Sequence, residues 1–279
     1  MTPLRLARVR PVSPASVAEQ FFVANSAADF ASDAGATWTV VDTPFPGSPA
    51  NTPSPPRAGW NPGDRVHQES FTFLAPSVPA NVLGMAHNTG KTGRALPPQA
   101  FHKAATSVIG PGEAIELAAG TGHVDPEAEL AVVIGRKARC LTTDNARTAV
   151  LGFTIGNDVT SRDLQKQDEL WISAKSQDTF TPLGPWIVTG LDDTDVPISI
   201  VHNGTALKAA SSADLGWKVD EILVYLTSFM TLHPGDIVLT GFPAECAPIV
   251  PGDTVTCRVA GIGELTNPVK AASWEGSAA

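Results

Sequence analysis

The amino-acid sequence predicts a mainly β (α+β) protein with few helices. From residue 70 onward, short runs rich in β-branched residues recur and are separated by Gly, Pro, Asp and Asn. Apolar residues follow a helical spacing in two segments, Thr143–Leu151 and Lys218–Thr231. Two Pro-Gly-Asp turns, at 234–236 and 251–253, each come directly before an apolar run. Together these patterns indicate a sandwich or a barrel.

In chain order, residues 1–70 are interpreted as a small N-terminal module and residues 71–279 as the main domain. The clearest strand of the module is Thr37–Val41. Prolines are dense between residues 44 and 63, which removes backbone donors and predicts a loop, either a surface excursion or a mobile flap. The strands predicted for the main domain are Ser70–Leu74, Asn81–Met85, Ala114–Leu117, Glu127–Ile134, Gly152–Asn157, Trp186–Val188, Ile198–Val201, Ile237–Thr240 and Thr254–Val259.

Composition limits the classes of function. The 279 residues are 43% hydrophobic and 17% charged, which is typical of a soluble globular protein with a sizeable core. The net charge of −9 argues against binding to nucleic acid or to an anionic membrane, so a small molecule is the expected partner. The three cysteines are widely spaced, which argues against a disulfide framework or a zinc site. A cytoplasmic location is expected.

Two carboxylates, Glu127 and Glu129, are the first candidate site residues. They lie two positions apart on a predicted strand, so their side chains share one face beside a buried apolar run. Such a pair fits either a solvated strand face or a metal site, because like charges at a core edge need a compensating cation. Asp158 follows the next apolar run. Three carboxylates form an oxygen-only ligand set suited to Mg²⁺, Mn²⁺ or Ca²⁺.

Several linked motifs resemble the fumarylacetoacetate hydrolase superfamily. The resemblance covers roughly residues 80–270, in order and in spacing, and leaves residues 1–70 uncovered. The motifs are FHK at 101–103, EAELAVVIG at 127–135, GFTIGNDVTSRDLQ at 152–165, KSQDTFTPLGPW at 175–186, NG at 203–204, LHPGDIVLTG at 232–241 and GIGELTNP at 261–268.

The resemblance implies a mixed β-roll or sandwich, a catalytic domain over residues 71–279 and a homodimer. It implies that Mg²⁺ or Mn²⁺ is held by the three carboxylates Glu127, Glu129 and Asp158. It also implies a catalytic role for Lys175 and substrate contacts from Arg162 and Gln165. The alternatives are a surface lysine at Lys175, an ion pair of Arg162 with Asp163 or Asp158, and a solvated loop residue at Gln165.

The sequence departs from the family pattern at the catalytic base. Hydrolytic members carry a His–Glu dyad, whose positions align here with Gly90 and Gly93. Phe242 also replaces a family threonine, although the preceding Thr240 is retained and is expected to contact the substrate. His87 and Glu245 are the candidate substitutes for the base, and His102 is interpreted as a packing residue.

The leading hypothesis is a divalent-metal-dependent hydrolase or lyase. Its substrate would be a 2-oxo or 1,3-dioxo acid resembling an acylpyruvate, and the reaction would pass through an enolate, with C–C cleavage favoured. Decarboxylation, dehydration or tautomerisation of a 2-oxo acid needs no activated water and is the alternative. A family member that binds a metal and a ligand without turnover is a further alternative.

Overall fold

The structure is a computed structural model that describes residues 3–12, 20–26, 37–52, 60–90 and 94–273. Within these ranges the chain forms twenty strands and three α-helices, which confirms the mainly β prediction. None of these helices has the length and apolar character needed to cross a bilayer. The strands are β1 (Leu4–Pro11), β2 (Phe21–Ser26), β3 (Thr37–Val41), β4 (Arg65–His67), β5 (Phe71–Phe73), β6 (Val82–Ala86), β7 (Gln99–Lys103), β8 (Val108–Ile109), β9 (Ile115–Leu117), β10 (Val124–Asp125), β11 (Ala128–Ile134), β12 (Val150–Asn157), β13 (Thr160–Ser161), β14 (Thr181–Val188), β15 (Pro197–His202), β16 (Thr205–Ala206), β17 (Ala210–Ser211), β18 (Ile237–Leu239), β19 (Thr254–Val259) and β20 (Gly263–Ala271). The helices are α1 (Arg162–Gln167), α2 (Ile172–Lys175) and α3 (Val219–Phe229).

A large mixed sheet holds the centre of the molecule. Its strand order is β4-β3-β2-β1-β14-β12-β11-β18-β6-β7, and the β18–β6 pair is parallel. All seven residues of β11 are buried, which explains its unbroken apolar run after Glu129. β1 pairs with β14, so the N-terminal strands extend this sheet. Trp38 lies fully buried in their own apolar cluster.

A second sheet, in the order β16-β15-β19-β20-β9, packs on the first. Ile200 and Val255 from this sheet share one apolar core with Leu130 of β11. α3 adds a buried apolar face that includes Ile222 and Leu226. The two layers therefore fix the ends of β11 and β12, where the carboxylates lie.

Most predicted strands are confirmed within one to three residues, apart from β14, which begins at Thr181. The helix predicted at Thr143–Leu151 is wrong: only Ala146–Ala149 form a short 3-10 turn, and Val150 already begins β12. Val150 is aligned with Ile134 in the central sheet, so strand pairing overrides the local helical spacing. In the proline-rich loop, residues 53–59 lie outside the described residues, so the loop or flap stays a prediction.

Candidate active site

The ends of β11 and β12 bring the three predicted carboxylates together. Glu127 comes just before β11, Glu129 is the second residue of β11, and Asp158 directly follows β12. The backbone N–H of Asp158 donates to the Glu127 carbonyl at 2.9 Å, and the Asn157 side chain accepts from the Glu127 N–H at 2.9 Å. One oxygen of each carboxylate lies within 4.8 Å of the other two. Strand pairing thus creates the cluster.

Two buried lysines bind Asp158. Lys103 Nζ donates to Asp158 Oδ1 at 2.6 Å, and Lys175 Nζ donates to Asp158 Oδ2 and, at 2.9 Å, to Thr160 Oγ1. Burial alone would raise the pKa of Asp158, but the two ammonium groups outweigh it and hold that pKa below its usual value. Burial lowers the pKa of Lys103 to about 8 despite Asp158. The pKa of Lys175 is raised, because Asp158 and Glu127 together outweigh the effect of burial.

Glu129 receives less compensation than its neighbours. Its carboxylate accepts one hydrogen bond, at 2.7 Å, from the Gly241 N–H, and no lysine or arginine of the described ranges forms an ion pair with it. Burial, followed by the negative charges of Asp158 and Glu127, raises its pKa well above the usual value. Three clustered oxygen ligands with an unbalanced negative charge fit a divalent cation. We call Glu127, Glu129, Asp158, Lys103 and Lys175 the carboxylate floor.

Arg162 is tied to the edge of this floor. Ser161 caps α1 by accepting from the Leu164 N–H, which places Arg162 at the first helical position. Arg162 donates to Asp125 Oδ2 at 2.7 Å and to Glu127 Oε1 at 2.6 Å. The alternative prediction for Arg162 was an ion pair with Asp163 or Asp158. This prediction is wrong, because the carboxylates that Arg162 binds belong to Asp125 and Glu127. Burial works against the charge of Arg162, but Glu127 and Asp125 outweigh it and raise the pKa above its ordinary value.

A cavity of about 310 Å³ opens above the floor. Arg162, Gln165 and Lys175, which the family resemblance implied as site residues, line it together with His87, one of the two candidate bases. The remaining surface includes four rings, which we call the aromatic wall: His87, Phe101, Trp171 and Phe242. His87 and Trp171 meet edge to face, with their ring centroids 5.3 Å apart.

Thr240 and Glu245 are not brought to the cavity. The Thr240 side chain is buried and donates to the Leu130 carbonyl at 2.8 Å, so its hydroxyl supports the end of β18 instead of facing a substrate. Glu245 lies in a separate surface depression, where its carboxylate accepts from the Lys208 N–H at 3.3 Å. Of the two candidate bases, only His87 lines the cavity above the carboxylates.

Sequence reasoning missed the site roles of Lys103 and Trp171. Lys103 lies at the end of β7, a strand whose other residues are at least partly exposed, so no local pattern indicated a buried cation. Trp171 stands between two exposed apolar residues, Leu170 and Ile172, and resembles a surface turn. The one sequence signal for Lys103 was its place in the FHK motif at 101–103.

These features define a class: a two-sheet, β-rich protein with a buried cluster of three carboxylates at its central strand ends that fits a divalent metal. The family model "Fumarylacetoacetate (FAA) hydrolase C-terminal" matches residues 75–270, and the chain belongs to this family. The match confirms the resemblance carried by the sequence motifs. It begins at the end of the predicted N-terminal module, whose boundary at residue 70 stays a prediction.

Three known proteins illustrate this similarity. The structure of 5-carboxymethyl-2-hydroxymuconate delta-isomerase from Mycobacterium smegmatis is 35% identical and has a TM-score of 0.82, with 96% of this chain and 100% of that chain covered. Oxaloacetate tautomerase Fahd2a, a mitochondrial protein of Rattus norvegicus, is 33% identical over 73% of this chain and 71% of its own length. Maleylpyruvate hydrolase from Sphingobium sp. SYK-6, solved in complex with manganese(II) and pyruvate, is 25% identical with a TM-score of 0.67, with 76% of this chain and 78% of that chain covered.

Proposed function

We propose that this protein is a divalent-metal-dependent enzyme that interconverts the keto and enol forms of a 2-oxo or 1,3-dioxo acid. The observation that carries the proposal is the carboxylate floor, in which Glu129 lacks a cationic partner among the described residues. The cavity above it is lined by the cations Arg162, Lys166 and Lys175, which favour an anionic substrate. The named activities of the three relatives all concern 2-oxo acids or their enols, which supports this substrate class.

Glu127, Glu129 and Asp158 would hold the metal ion, and Mg²⁺ or Mn²⁺ suits three carboxylate ligands. When bound, the cation supplies a Lewis acid that stabilises negative charge on a neighbouring oxygen. The manganese ion of the maleylpyruvate hydrolase structure supports a divalent metal in this family.

Lys175 and Gln165 would serve the substrate directly. Lys175 is fixed by Asp158 and Thr160, so its positive charge stays at the cavity floor and lowers the energy of an enolate. Gln165 lines the cavity and accepts at 3.2 Å from Arg162 Nη1, which leaves its amide N–H groups to bind a substrate carboxylate. The two residues would thus hold opposite ends of the 2-oxo acid unit.

His87 would carry the proton. It is the one imidazole that lines the cavity among the described residues, and no carboxylate outside the floor lines the cavity beside it. Gly90 offers no side chain at one dyad position, and Gly93 lies outside the described residues. Transfer of a proton to and from carbon needs one acid–base group, whereas activation of water is usually assigned to a dyad in this family. The site therefore favours tautomerisation.

C–C hydrolysis is the second candidate, and the similarity to maleylpyruvate hydrolase favours it. In that reaction His87 would take a proton from water while Lys175 stabilises the enolate that leaves. Decarboxylation and dehydration use the same floor and are distinguished by their products.

The test is to incubate the protein and Mn²⁺ or Mg²⁺ with oxaloacetate, acylpyruvates and 2-keto-3-deoxy sugar acids. Enol absorbance and product mass are followed together. A change of absorbance at constant mass supports tautomerisation. Release of pyruvate together with a carboxylic acid from an acylpyruvate supports hydrolysis, whereas release of pyruvate and CO₂ from oxaloacetate indicates decarboxylation.

Glu129→Gln serves as the metal-site variant and Glu264→Gln, on the exposed face of β20, as its control. Calorimetry should show that Glu129→Gln, and equally Glu129→Ala, loses Mn²⁺ binding while the control keeps it. Unchanged Mn²⁺ affinity in Glu129→Gln would remove β11 from the metal site. Mn²⁺ binding without turnover of any substrate would instead indicate a ligand-binding family member.

A further inference from the structure

The aromatic wall begins directly beside the carboxylate floor and continues away from it. Lys175 Nζ lies 4.2 Å from the centroid of the Phe101 ring and 5.9 Å from that of Trp171. The Phe101 and Trp171 centroids are 5.8 Å apart, and the His87 ring follows at 5.3 Å from Trp171. A substrate whose enolate oxygen lies beside Lys175 therefore has ring faces and edges along the part that extends past this lysine.

The wall is held in a fixed shape. Trp171 has a φ of 60° and His87 a φ of 57°, in the left-handed region that non-glycine residues seldom adopt. The turn before α2 fixes Trp171, because Asp168 accepts at 2.8 Å from the Ser173 N–H and at 3.0 Å from the Leu170 N–H. Such conformations persist where the surroundings enforce them, and they cluster at ligand sites.

The charges that line the cavity are already engaged. Lys175 is bound to Asp158, Arg162 is bound to Glu127, and Lys166 lies 3.4 Å from Asp163. Within the described residues, no lysine or arginine of the cavity lining lacks a carboxylate partner. The aromatic wall itself carries no lysine or arginine, so it offers no fixed cation to a second substrate carboxylate, while Arg162, Lys166 and Lys175 attract the first one.

We propose that the aromatic wall selects substrates whose acyl group, beyond the 1,3-dioxo unit, is flat and apolar, such as an aryl group. This inference rests on the proposed function, since it assigns the substrate class of the same site. Phe242 contributes through its position, because the preceding residue, Gly241, donates its N–H to Glu129 and so anchors this side of the wall to the floor. Trp171 and Phe242 are the specificity-determining residues.

The experiment compares kcat/KM of the Mn²⁺-loaded protein for 2,4-dioxo-4-phenylbutanoate, 2,4-dioxopentanoate and oxaloacetate. One added methylene in an apolar pocket changes kcat/KM by about 10- to 200-fold, so we expect the phenyl substrate to be preferred over the methyl one by at least about tenfold. Trp171→Leu and Phe242→Leu should reduce this preference while the methyl substrate still reacts. Phe229→Leu, on the exposed face of α3, is the matched control and should keep it.

A binding measurement separates the two proposals. Calorimetry with 2-oxo-4-phenylbutanoate and 2-oxopentanoate, two 2-oxo acids that carry the phenyl and methyl groups at the same carbon as the dioxo substrates, reports the preference of the Mn²⁺-loaded protein without C–C cleavage. Equal affinity for the two acids, or equal kcat/KM for phenyl and methyl substrates, overturns the inference. A preference for oxaloacetate also overturns it and leaves the proposed function intact. If no substrate reacts but 2-oxo-4-phenylbutanoate binds at least about tenfold more tightly than 2-oxopentanoate, the inference holds and the proposed function fails.

Discussion

The carboxylate floor and the aromatic wall line the same cavity but are built in different ways. The three carboxylates of the floor lie at the paired ends of β11 and β12, and Lys175, at the end of α2, is almost completely buried and bound to Asp158. Most of the wall lies on connecting segments, and Trp171 is held by a turn. In the proposed function, the carboxylates at the strand ends would hold the metal ion, and the rings on the connecting segments would determine which substrate binds.

The largest expected effect comes from breaking the floor with Asp158→Asn. The change leaves Lys103 and Lys175 buried without their shared carboxylate, and removal of one partner from a buried ion pair costs about 3–5 kcal/mol. Urea denaturation of the metal-free protein measures the free energy of unfolding. Asp163→Asn, an exposed carboxylate on α1, is the control. A loss below about 1 kcal/mol would show that the two lysines do not depend on Asp158.

His87→Asn tests whether the wall takes part in the chemistry as well as in recognition. Removal of a general acid–base group typically slows the reaction by about 10²–10⁴-fold. We expect a fall of that size in kcat with unchanged Mn²⁺ affinity, because His87 contacts Trp171 and not the carboxylates. His102→Asn, on the exposed face of β7, is the control. A decrease of less than about threefold would assign the proton transfer to another group.

Arg162→Lys tests whether the ion pairs of Arg162 at the edge of the floor support binding of Mn²⁺. Arginine binds Asp125 and Glu127 with two separate nitrogens, which a lysine cannot reproduce. Loss of groups that orient a metal ligand typically costs about 10–100-fold in metal affinity, and we expect a decrease in that range. Titration with Mn²⁺ measures it, with Arg258→Lys at the exposed Glu264 pair as the control. Equal Mn²⁺ affinity would show that Glu127 needs no such support.

The smallest effect is expected at Asp253, a carboxylate outside both regions. It accepts from Asn203 Nδ2 at 2.7 Å and from the Val250 N–H at 2.8 Å, which lower its pKa to about 2. Because the folded-state pKa lies below the ordinary 3.8, its contribution to stability is complete above that value and disappears as the pH falls through about 2. Asp253→Asn should flatten this part of the pH–stability curve. If the stability of Asp253→Asn decreases at acid pH as steeply as that of the unsubstituted protein, the lowered pKa does not belong to Asp253.

The sequence was sufficient for the part of the floor that two adjacent strands create. Glu129 lies on β11, while Glu127 directly precedes β11 and Asp158 directly follows β12, its antiparallel neighbour; residue type and spacing therefore indicated all three as candidates. Lys103 could not be located in this way, because it joins Asp158 across 55 residues from another strand.

The predicted homodimer is tested by light scattering, where a mass of 29.1 kDa would contradict it.

The partners of polar groups on loops and strand ends could not be predicted from sequence patterns either, but for a different reason. Arg162 has several carboxylates within a short stretch of sequence, and only the three-dimensional register selects Asp125 and Glu127. The Thr240 hydroxyl has a backbone acceptor in Leu130 that only the β11–β18 pairing supplies. Glu245 lies in a loop, and no periodic sequence pattern predicts the path of that loop.

The pairing of β1 with β14 has a consequence for the order in which this protein is made. The Leu4 N–H donates to Thr189 Oγ1, across 185 positions of the chain, so β1 is synthesised well before its partner strand β14. At about 5–20 residues per second, synthesis of the intervening chain takes roughly 10 to 40 s. During that interval the Arg5–Leu6 part of β1 lacks its β14 partner, while β5 can already pair with Val9–Pro11. An open strand edge is a template for pairing with another chain, so β14 closes this part of the edge late in synthesis.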